Sequence, residues 1–230
     1  MKTVAIVQAR MMSSRLPKKI LLDLHGHPIY EWVFRRLKSS KNIDLIIFAL
    51  PDNKSDDILA SNLSNLGANV RRGSEDDLVD RFYQIAKSVN AKKIVRICAD
   101  NPLICSSEVD RLIEFYNNNE VDYAYNHLPK NNFYPDGLGA EICSMELLEE
   151  IYINSILPEH REHLFNYIWD NENRYMIKTF NPPSKLAFPN LKLDIDTMKD
   201  YLKLSKKAYR IDMNADEIIK ISLGKKHEIN

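Results

Sequence analysis

The chain has 230 residues, with 32 Lys or Arg against 32 Asp or Glu, so its formal net charge at pH 7 is zero. A balanced charge provides no long-range field, and we therefore expect neither nucleic acid nor a membrane as a partner. The three cysteines, Cys98, Cys105 and Cys143, lack the spacing of a disulfide framework or a thiolate metal site, which favours a reducing cytoplasm.

The amino-terminal region begins with a short apolar run, 3–8, followed by a basic loop. The run ends before Arg10 and is too short for a signal-peptide core or a membrane span, so we expect a cytoplasmic protein. It is instead typical of a buried first strand. The length favours a single domain across residues 1–230, because α/β folds of this size often have one core.

Strands and helices alternate in the first half of the chain. Uninterrupted apolar runs predict buried strands, and amphipathic runs bounded by Pro, Ser or Gly predict helices. In chain order the predictions are a strand at 3–8, a helix at 28–38, a strand at 45–50, a helix at 55–66, a strand at 69–71, a helix at 76–89, a strand at 93–98, a helix at 106–117 and a strand at 121–126. This alternation predicts an α/β fold with a mostly parallel sheet.

The pattern is less regular after residue 126. An irregular segment at 128–137 is predicted to cross the surface, and such long segments tend to be functional. The remaining predictions are helices at 144–154 and 159–171, strands at 175–179 and 191–195, a helix from Thr197 to 208, and a helix at 214–223 that Gly224 ends.

The basic loop after the first strand carries Arg10, Arg15, Lys18 and Lys19 within ten residues, together with Ser13. Arginine forks hold phosphate oxygens in place, whereas a lysine is a mobile point charge. Open α/β sheets bind ligands at the carboxyl ends of their strands, which is where this loop begins. The loop therefore indicates a polyphosphate site, and the alternative is a solvated basic surface loop.

Two predicted strands end in aspartate. Asp100 follows the strand at 93–98, and Asp196 follows the predicted strand at 191–195, with Asp194 two residues earlier on the same side. Mg²⁺ in proteins favours one or two carboxylates together with water and phosphate oxygens. We predict that Asp100 and Asp196 bind Mg²⁺, with Asp194 as a third candidate ligand. The alternative is that these aspartates form turns and caps.

The motifs also resemble a known family. Residues 9–19 read Ala-Arg-x-x-Ser-x-Arg-x-Pro-x-Lys, and further matching stretches follow in order at 72–82, 94–104, 135–138, 159–163 and 193–197. Together they resemble the cytidylyltransferases that activate sugars as CMP derivatives, of the CMP-ulosonic and nonulosonic acid synthetase type, in the branch named for spore coat polysaccharide biosynthesis protein F. One residue departs from the pattern, because Met12 stands where the family usually has glycine.

The resemblance implies a three-layer α/β/α sandwich of the Rossmann-like, glycosyltransferase-A-like nucleotidyltransferase type. It also implies that the Asp of the Asp-x-Pro-Leu motif, Asp100, and Asp196 hold Mg²⁺. From their chemistry we assign Arg10 and Arg15 to the β- and γ-phosphates and Lys19 to charge at the α-phosphorus. Ser13 and backbone N–H groups from Ala9 onward add donors.

The resemblance places the nucleobase near Arg72, Gly73 and Ser74, with Arg72 and Ser74 as candidates for reading a pyrimidine edge. An alternative for Arg72 is an ion pair with the acidic run at 75–77. The resemblance also places 134–141 and 159–163 beside the α-phosphate, where the acceptor binds.

The acceptor candidates are Glu141, Arg161 and His163. A carboxylated sugar needs a cation, for which Arg161 is the candidate, and His163 can donate a hydrogen bond. Alternatively, Arg161 pairs with Glu159 or Glu162 on the helix surface. A metal site on the histidines at 160 and 163 is disfavoured, since no third ligand is apparent.

The reaction implied is transfer of CMP from CTP to an acidic sugar, of the 3-deoxy-ulosonic or nonulosonic acid class, with release of pyrophosphate and with Mg²⁺ as cofactor. The product would serve surface polysaccharide or glycan synthesis. Alternatives are another nucleotide or a sugar phosphate acceptor, a metal-dependent glycosyltransferase using Asp194-Ile195-Asp196, and a non-catalytic nucleotide-binding protein. Partners are then CTP and a small acidic sugar, and the sequence leaves a homodimer open.

Overall fold

A computed structural model describes residues 2–224. Nine strands lie in this part of the chain: β1 Thr3–Gln8, β2 Asp23–Leu24, β3 His27–Pro28, β4 Leu45–Pro51, β5 Asn69–Gly73, β6 Lys93–Cys98, β7 Tyr123–Tyr125, β8 Glu141–Ser144 and β9 Ile177–Lys178. Strands β2 and β3 form a small hairpin, and the other seven form one sheet in the order β5-β4-β1-β6-β8-β7-β9.

The central sheet is mostly parallel. Strand β1 pairs in parallel with β4 and β6, whereas β8 runs antiparallel to both β6 and β7. The last residue of β1, Gln8, lies opposite Ala49 in β4 and Cys98 in β6, so these three strands reach the same edge of the sheet. The loops that follow β1 and β6 therefore meet there.

The helices of the described range are α1 Ile29–Leu37, α2 Asp57–Asn65, α3 Leu78–Ser88, α4 Ser106–Asn118, α5 Met145–Asn154, α6 Pro158–Glu162, α7 Asn166–Asp170, α8 Met198–Ser205 and α9 Ala215–Ser222. They cover both faces of the sheet. Alternate side chains of β1 point to opposite faces, and each set packs against different helices. Ala5 and Val7 pack with α1, α2 and α4, and Val4 and Ile6 pack with α3, α5 and α7. The predicted α/β/α sandwich is confirmed.

Several elements differ from the sequence prediction. Residues 191–195 are not a strand of the sheet; Lys192 forms an isolated bridge with Asp136, and the Ile195 N–H donates to the Asp100 carbonyl at 2.9 Å. The predicted helix at 159–171 divides into α6 and α7, because Leu164 and Phe165 turn into the core between them. Strands β2, β3 and β8 were not predicted, because each has only two to four residues and none of them is an uninterrupted apolar run.

The remaining boundaries follow local chemistry. Thr197 caps α8 in a capping box with Asp200, and Asn214 caps α9 in the same way with Glu217. Gly224 follows α9 with φ of 75°, as expected for a helix-ending glycine. No helix between residues 2 and 224 is long and apolar enough to cross a membrane.

Candidate active site

The basic loop begins at the carboxyl end of β1 and folds back on itself. The Met11 N–H donates to Asp56 Oδ1 at 2.8 Å, and the Met11 carbonyl accepts the Lys18 N–H at 2.7 Å. The left-handed residue in the loop is Lys18, with φ of 59°, and Met12 is not among the positive-φ residues of the described chain. Met12 is 55% exposed. The loop therefore closes without a glycine-like backbone at position 12.

A cavity of about 130 Å³ lies between this loop and the ends of β1 and β6. It contains four of the predicted phosphate-binding side chains and two of the predicted metal ligands. Its lining residues are Gln8, Ala9, Arg10, Ser13, Ser14, Arg15, Lys19, Ile20, Cys98, Ala99, Asp100 and Asp196. The sequence thus predicted most of the polar groups that the fold brings together here.

Lys19 is at the centre of the cavity wall. Its Nζ lies 2.6 Å from Asp100 Oδ2, 2.8 Å from the Ile195 carbonyl and 3.3 Å from Asp196 Oδ1. The lysine side chain is only 9% exposed, so these charge-assisted hydrogen bonds are shielded from water. Because both carboxylates contact one nitrogen, the two predicted metal ligands do converge.

The two arginines of the loop are more accessible. Arg15 Nη2 lies 2.7 Å from Asp196 Oδ1, but the arginine side chain is 63% exposed. Arg10 is also exposed and lines the cavity. Both guanidinium groups can therefore turn towards a phosphate entering from solvent.

Asp194 lies beside the same cluster. Its Oδ2 is 3.4 Å from Lys192 Nζ, and its buried Oδ1 has no hydrogen-bond partner in residues 2–224. Burial and the negative charge of Asp136 raise the pKa of Asp194 to about 7. Burial also acts on Asp196, but the hydrogen bond from Lys192 and the charge of Lys19 hold the pKa of that carboxyl below its ordinary value.

This oxygen-rich set fits a hard divalent cation, because one carboxylate oxygen is orphaned and two others are held by a displaceable ammonium group. However, the carboxylate oxygens of Asp100, Asp194 and Asp196 do not all lie within 4.8 Å of one another. Within the described chain, the one trio of ligand-type side chains with all donor atoms within 4.8 Å of one another is Glu159, His160 and Asp170. Asp100 and Asp196 are instead bridged by Lys19.

Asp136 and Lys192 belong to the site but were not predicted as site residues. Lys192 Nζ lies 3.2 Å from Asp196 Oδ2, and Asp136 is bridged to the Lys192 backbone. A sequence signal existed for Asp136, because it stands in the Asp-Gly turn of the irregular segment. A Cβ at Gly137 would lie 2.8 Å from the Asp194 backbone N, so this close approach requires glycine.

A polar network on β6 and β8 continues from the cavity. Arg96 donates to Gln8 Oε1 at 3.2 and 3.1 Å and pairs with Glu141, which also accepts from Tyr123 Oη. His127 Nε2 is 3.7 Å from Glu141. Glu141, a predicted acceptor residue, is thus buried and bound to protein groups. A charged residue inside an apolar strand was the sequence signal for Arg96.

The predicted nucleobase residues, Arg72, Gly73 and Ser74, lie at the end of β5, which is on the opposite side of β1 from β6 in the sheet. Arg72 donates to Asp57 Oδ1 at 2.6 Å, to the Asn53 carbonyl at 2.6 Å and to the Pro51 carbonyl at 3.2 Å, so its partner is not the acidic run at 75–77. Ser74 Oγ accepts the Asp77 N–H at 3.1 Å. Arg72, Gly73 and Ser74 are not among the cavity-lining residues given above.

Arg161 is bound at the start of α3. Its Nε and Nη2 lie 2.8 and 2.7 Å from Asp77 Oδ2, and its Nη1 donates to the Tyr152 carbonyl at 2.8 Å. Neither Glu159 nor Glu162 is its partner among the described residues. His163, by contrast, is exposed and lines a second cavity that shares Gln8 and Arg10 with the first.

The fold and this cluster of cations and carboxylates define a nucleotidyltransferase. The model of the cytidylyltransferase family matches residues 4–220. The chain is 30% identical to the spore coat polysaccharide biosynthesis protein SpsF of Bacillus subtilis, over 93% of this chain and 91% of that protein.

Solved structures agree. A cytidylyltransferase from Leptospira borgpetersenii superposes with a TM-score of 0.89 at 29% identity, covering 97% of this chain and 94% of that one. A CMP:2-keto-3-deoxy-manno-octonic acid synthetase in complex with CTP has a TM-score of 0.67 at 19% identity, with coverage of 90% and 98%, and shows likeness of fold. This chain belongs to the cytidylyltransferase family, which confirms the resemblance found in the sequence.

Proposed function

We propose that this protein transfers CMP from CTP to an acidic sugar, of the 3-deoxy-ulosonic or nonulosonic acid class, and releases pyrophosphate. The observation that carries the proposal is the contact of Lys19 with both Asp100 and Asp196 beside Arg10 and Arg15. The name of the Bacillus relative supports a role in polysaccharide synthesis, and the CTP complex of the synthetase supports the nucleotide.

In this proposal the loop binds the triphosphate. Arg10 and Arg15 hold the β- and γ-phosphates with planar forks, and Ser13 with the backbone from Ala9 adds donors. Lys19 is close to the strand end where the α-phosphate would lie. It stabilises the negative charge that develops as pyrophosphate leaves, so its contribution is larger in the transition state than in the ground state.

Asp100 and Asp196 would hold Mg²⁺, with Asp194 as a third ligand. The ion would supply charge neutralisation and orient the phosphate oxygens. Lys19 contacts one oxygen of each carboxylate, Asp100 Oδ2 and Asp196 Oδ1, so an ion that uses either of these oxygens would displace it. Arriving phosphate provides the new partner for the lysine, so nucleotide and metal should bind together.

The acceptor is proposed to bind beside the first cavity, with Glu141 of β8 and His163, which lines the second cavity, as contact candidates. Glu141 would act through its ion pair with Arg96. Arg161 can bind the acceptor only if it gives up its two contacts to Asp77.

The three cysteines form no disulfide in the described residues, which supports the cytoplasm as the proposed location.

Pyrophosphate release tests the proposal. The enzyme is mixed with Mg²⁺, each of the four nucleoside triphosphates and a panel of acidic sugars, sugar phosphates and neutral sugars. We expect release with CTP and an acidic sugar only. Release with a sugar phosphate or another nucleotide would instead favour a different nucleotidyltransferase, and no release with any pair would favour a nucleotide-binding protein.

A further inference from the structure

A third cavity, of about 430 Å³, lies at the edge of the central sheet that ends with β9. It is lined by residues of β7, β9, α7 and the helical turn at Glu172–Arg174, among others. None of its lining residues lines the first or the second cavity. Its volume is within the range of ~300–1,000 Å³ that is common for ligand pockets. The protein therefore has room for a ligand outside the proposed catalytic site.

The walls of this third cavity are fixed by hydrogen bonds. Asn132 is only 8% exposed, and its Nδ2 donates to the Lys130 carbonyl at 2.9 Å and to Thr179 Oγ1 at 3.0 Å. Thr179 Oγ1 donates in turn to the Tyr125 carbonyl at 2.6 Å, and Tyr125 Oη donates to the Lys130 carbonyl at 2.8 Å. The loop after β7 is thus tied to the segment after β9, and the cavity is formed before a ligand arrives. A preformed cavity loses little conformational entropy on binding.

Trp169 provides an aromatic face in this cavity. The residue is partly exposed, and the rings of Tyr123 and Tyr125 pack against its ring in T-shaped contacts, with centroids 5.7 and 5.5 Å away. The ammonium group of Lys130 lies 3.4 Å from the centroid of the Trp169 ring. The π face thus attracts positive charge density, and the exposed lysine side chain can move away into solvent. The C–H groups on one face of a sugar ring carry partial positive charge and are attracted in the same way.

Polar side chains stand beside this aromatic face. Glu172 and Asn173 are exposed and line the cavity, and neither side chain has a hydrogen-bond or ion-pair partner within residues 2–224. Among the described residues, the lining includes no Lys, Arg or His, and the carboxylate of Glu172 disfavours an anionic ligand. A neutral ligand with several hydroxyl groups fits better, because the carboxylate accepts hydrogen bonds and the amide both accepts and donates them.

We propose that the third cavity binds a neutral saccharide, with one sugar ring stacked on Trp169 and its hydroxyl groups bound by Glu172 and Asn173. Lys130 moves off the indole as the sugar arrives. The ligand is then a sugar chain, and neither CTP nor the acidic acceptor, which belong to the cavities at the phosphate loop. This site goes beyond the proposed reaction and does not depend on it, because no residue of the phosphate loop lines it.

Calorimetry on the full chain tests the proposal, with cellotriose, maltotriose and tri-N-acetylchitotriose as neutral probes. We expect at least one of them to bind with a Kd of about 1 mM or below. Trp169→Ala should weaken that binding by about tenfold or more, and Glu172→Ala and Asn173→Ala by about threefold or more each. The matched control, Glu120→Ala, replaces another exposed glutamate and should bind as the wild type does.

Two further measurements keep the test independent of Trp169→Ala. Glu172 and Asn173 are exposed, so their variants should keep the fold even if Trp169→Ala does not, and melting temperatures show which variants are folded. The chain has two tryptophans, and Trp32 is only 1% exposed. A change in tryptophan emission on saccharide binding that persists in Trp32→Phe therefore reports on Trp169.

Binding of none of the neutral probes would overturn the proposal. So would tighter binding of trigalacturonic acid or tetramethylammonium, since either would indicate a charged ligand. Unchanged affinity in folded Trp169→Ala, or in both Glu172→Ala and Asn173→Ala, would overturn it as well. Saturating CTP with Mg²⁺ should leave saccharide binding unchanged, whereas displacement would place the sugar in the catalytic cavity and contradict the proposal. Saccharide binding without CMP transfer would contradict the proposed reaction alone.

Discussion

The Nζ atom of Lys19 lies 2.6 Å from Oδ2 of Asp100. The same nitrogen contacts Asp196, which is far away in the sequence and joins the site through the extended segment at 191–195. A lysine that bridges two proposed metal ligands keeps them close before substrate binds, because each carboxylate would otherwise repel the other. The contact also occupies one oxygen of each carboxylate, Asp100 Oδ2 and Asp196 Oδ1, so an ion that uses either of these oxygens would compete with the lysine.

Asp100→Asn should lower the rate of pyrophosphate release by about two or more orders of magnitude, because it removes a carboxylate charge from the proposed metal site. EDTA should abolish activity in the wild type, and added Mg²⁺ should restore it. The control is Asp212→Asn, an exposed aspartate that pairs with Arg210. Full activity of Asp100→Asn, or of the wild type in EDTA, would contradict the metal assignment.

Lys19→Ala and Arg15→Ala should have different kinetic effects. We expect Lys19→Ala to lower kcat by about 100-fold or more with a smaller change in CTP affinity, because the lysine meets charge that grows in the transition state. Arg15→Ala should mainly raise the Kd for CTP, since the exposed fork binds phosphates in the ground state. Steady-state kinetics with CTP titrations would reveal the reverse pattern if the two roles are exchanged.

Gly137→Ala should damage both stability and activity. The residue has φ of 86°, and an added Cβ would meet the Asp194 backbone at 2.8 Å, so we expect a loss of about 2–5 kcal/mol in the free energy of unfolding. Gly67→Ala is the matched control, because Gly67 has φ of 79° with open space around it. It should cost only about 1–2 kcal/mol and leave activity unchanged. Similar losses in urea unfolding for both variants would contradict the close approach.

His127 should make the folded protein less stable in mild acid. Burial lowers its pKa below the ordinary 6.5, the charge of Glu141 opposes this shift and that of Arg96 adds to it. As the pH falls below about 6.5, the unfolded chain therefore takes up a proton that the folded chain does not, and the free energy of unfolding decreases.

Replacing the ring should remove that part of the pH dependence. Urea unfolding of His127→Gln at pH 7.5 and 5.5 is expected to show a smaller difference than the wild type. Exposed His25→Gln is the control and should resemble the wild type. An unchanged difference in His127→Gln would show that the ring does not contribute.

Arg161→Ala distinguishes a structural role from acceptor binding. Loss of the two contacts to Asp77 should lower the free energy of unfolding by about 1–2 kcal/mol. If the arginine only fixes the start of α3, the KM values for both substrates should stay at the wild-type level. A raised acceptor KM with unchanged CTP KM would instead assign it to the acceptor site.

The sequence predicted the elements that depend on local pattern. Strands 3–8 and 93–98 agree with β1 and β6 to the residue, because each is an apolar run with clear polar ends. The sequence also predicted that Asp100 and Asp196 lie close together, but the reason was wrong for Asp196, because the segment at 191–195 is not a strand of the sheet. The contact of both with Lys19 depends on the fold of the loop and was not predicted.

Local sequence patterns could not predict which side chains pair when the partners are far apart in the chain. Arg72 stands next to the acidic run at 75–77 in sequence, but it donates to Asp57 and to the Asn53 and Pro51 carbonyls, because β5 lies beside the end of β4. Arg161 has nearby glutamates but pairs with Asp77, 84 residues away, because α6 packs against α3. In each case tertiary packing outweighs the nearest opposite charge.

The central claim is cytidylyl transfer to an acidic sugar, and product mass tests it most directly. Wild type and Asp100→Asn are incubated with CTP, Mg²⁺ and 3-deoxy-ulosonic or nonulosonic acids, with sugar phosphates and neutral sugars in parallel, and the products are separated and identified by mass spectrometry. We expect one CMP-sugar ester for every pyrophosphate formed by the wild type, and neither product above background from the variant. Pyrophosphate without a CMP ester, or an ester formed only with sugar phosphates or neutral sugars, would contradict the account.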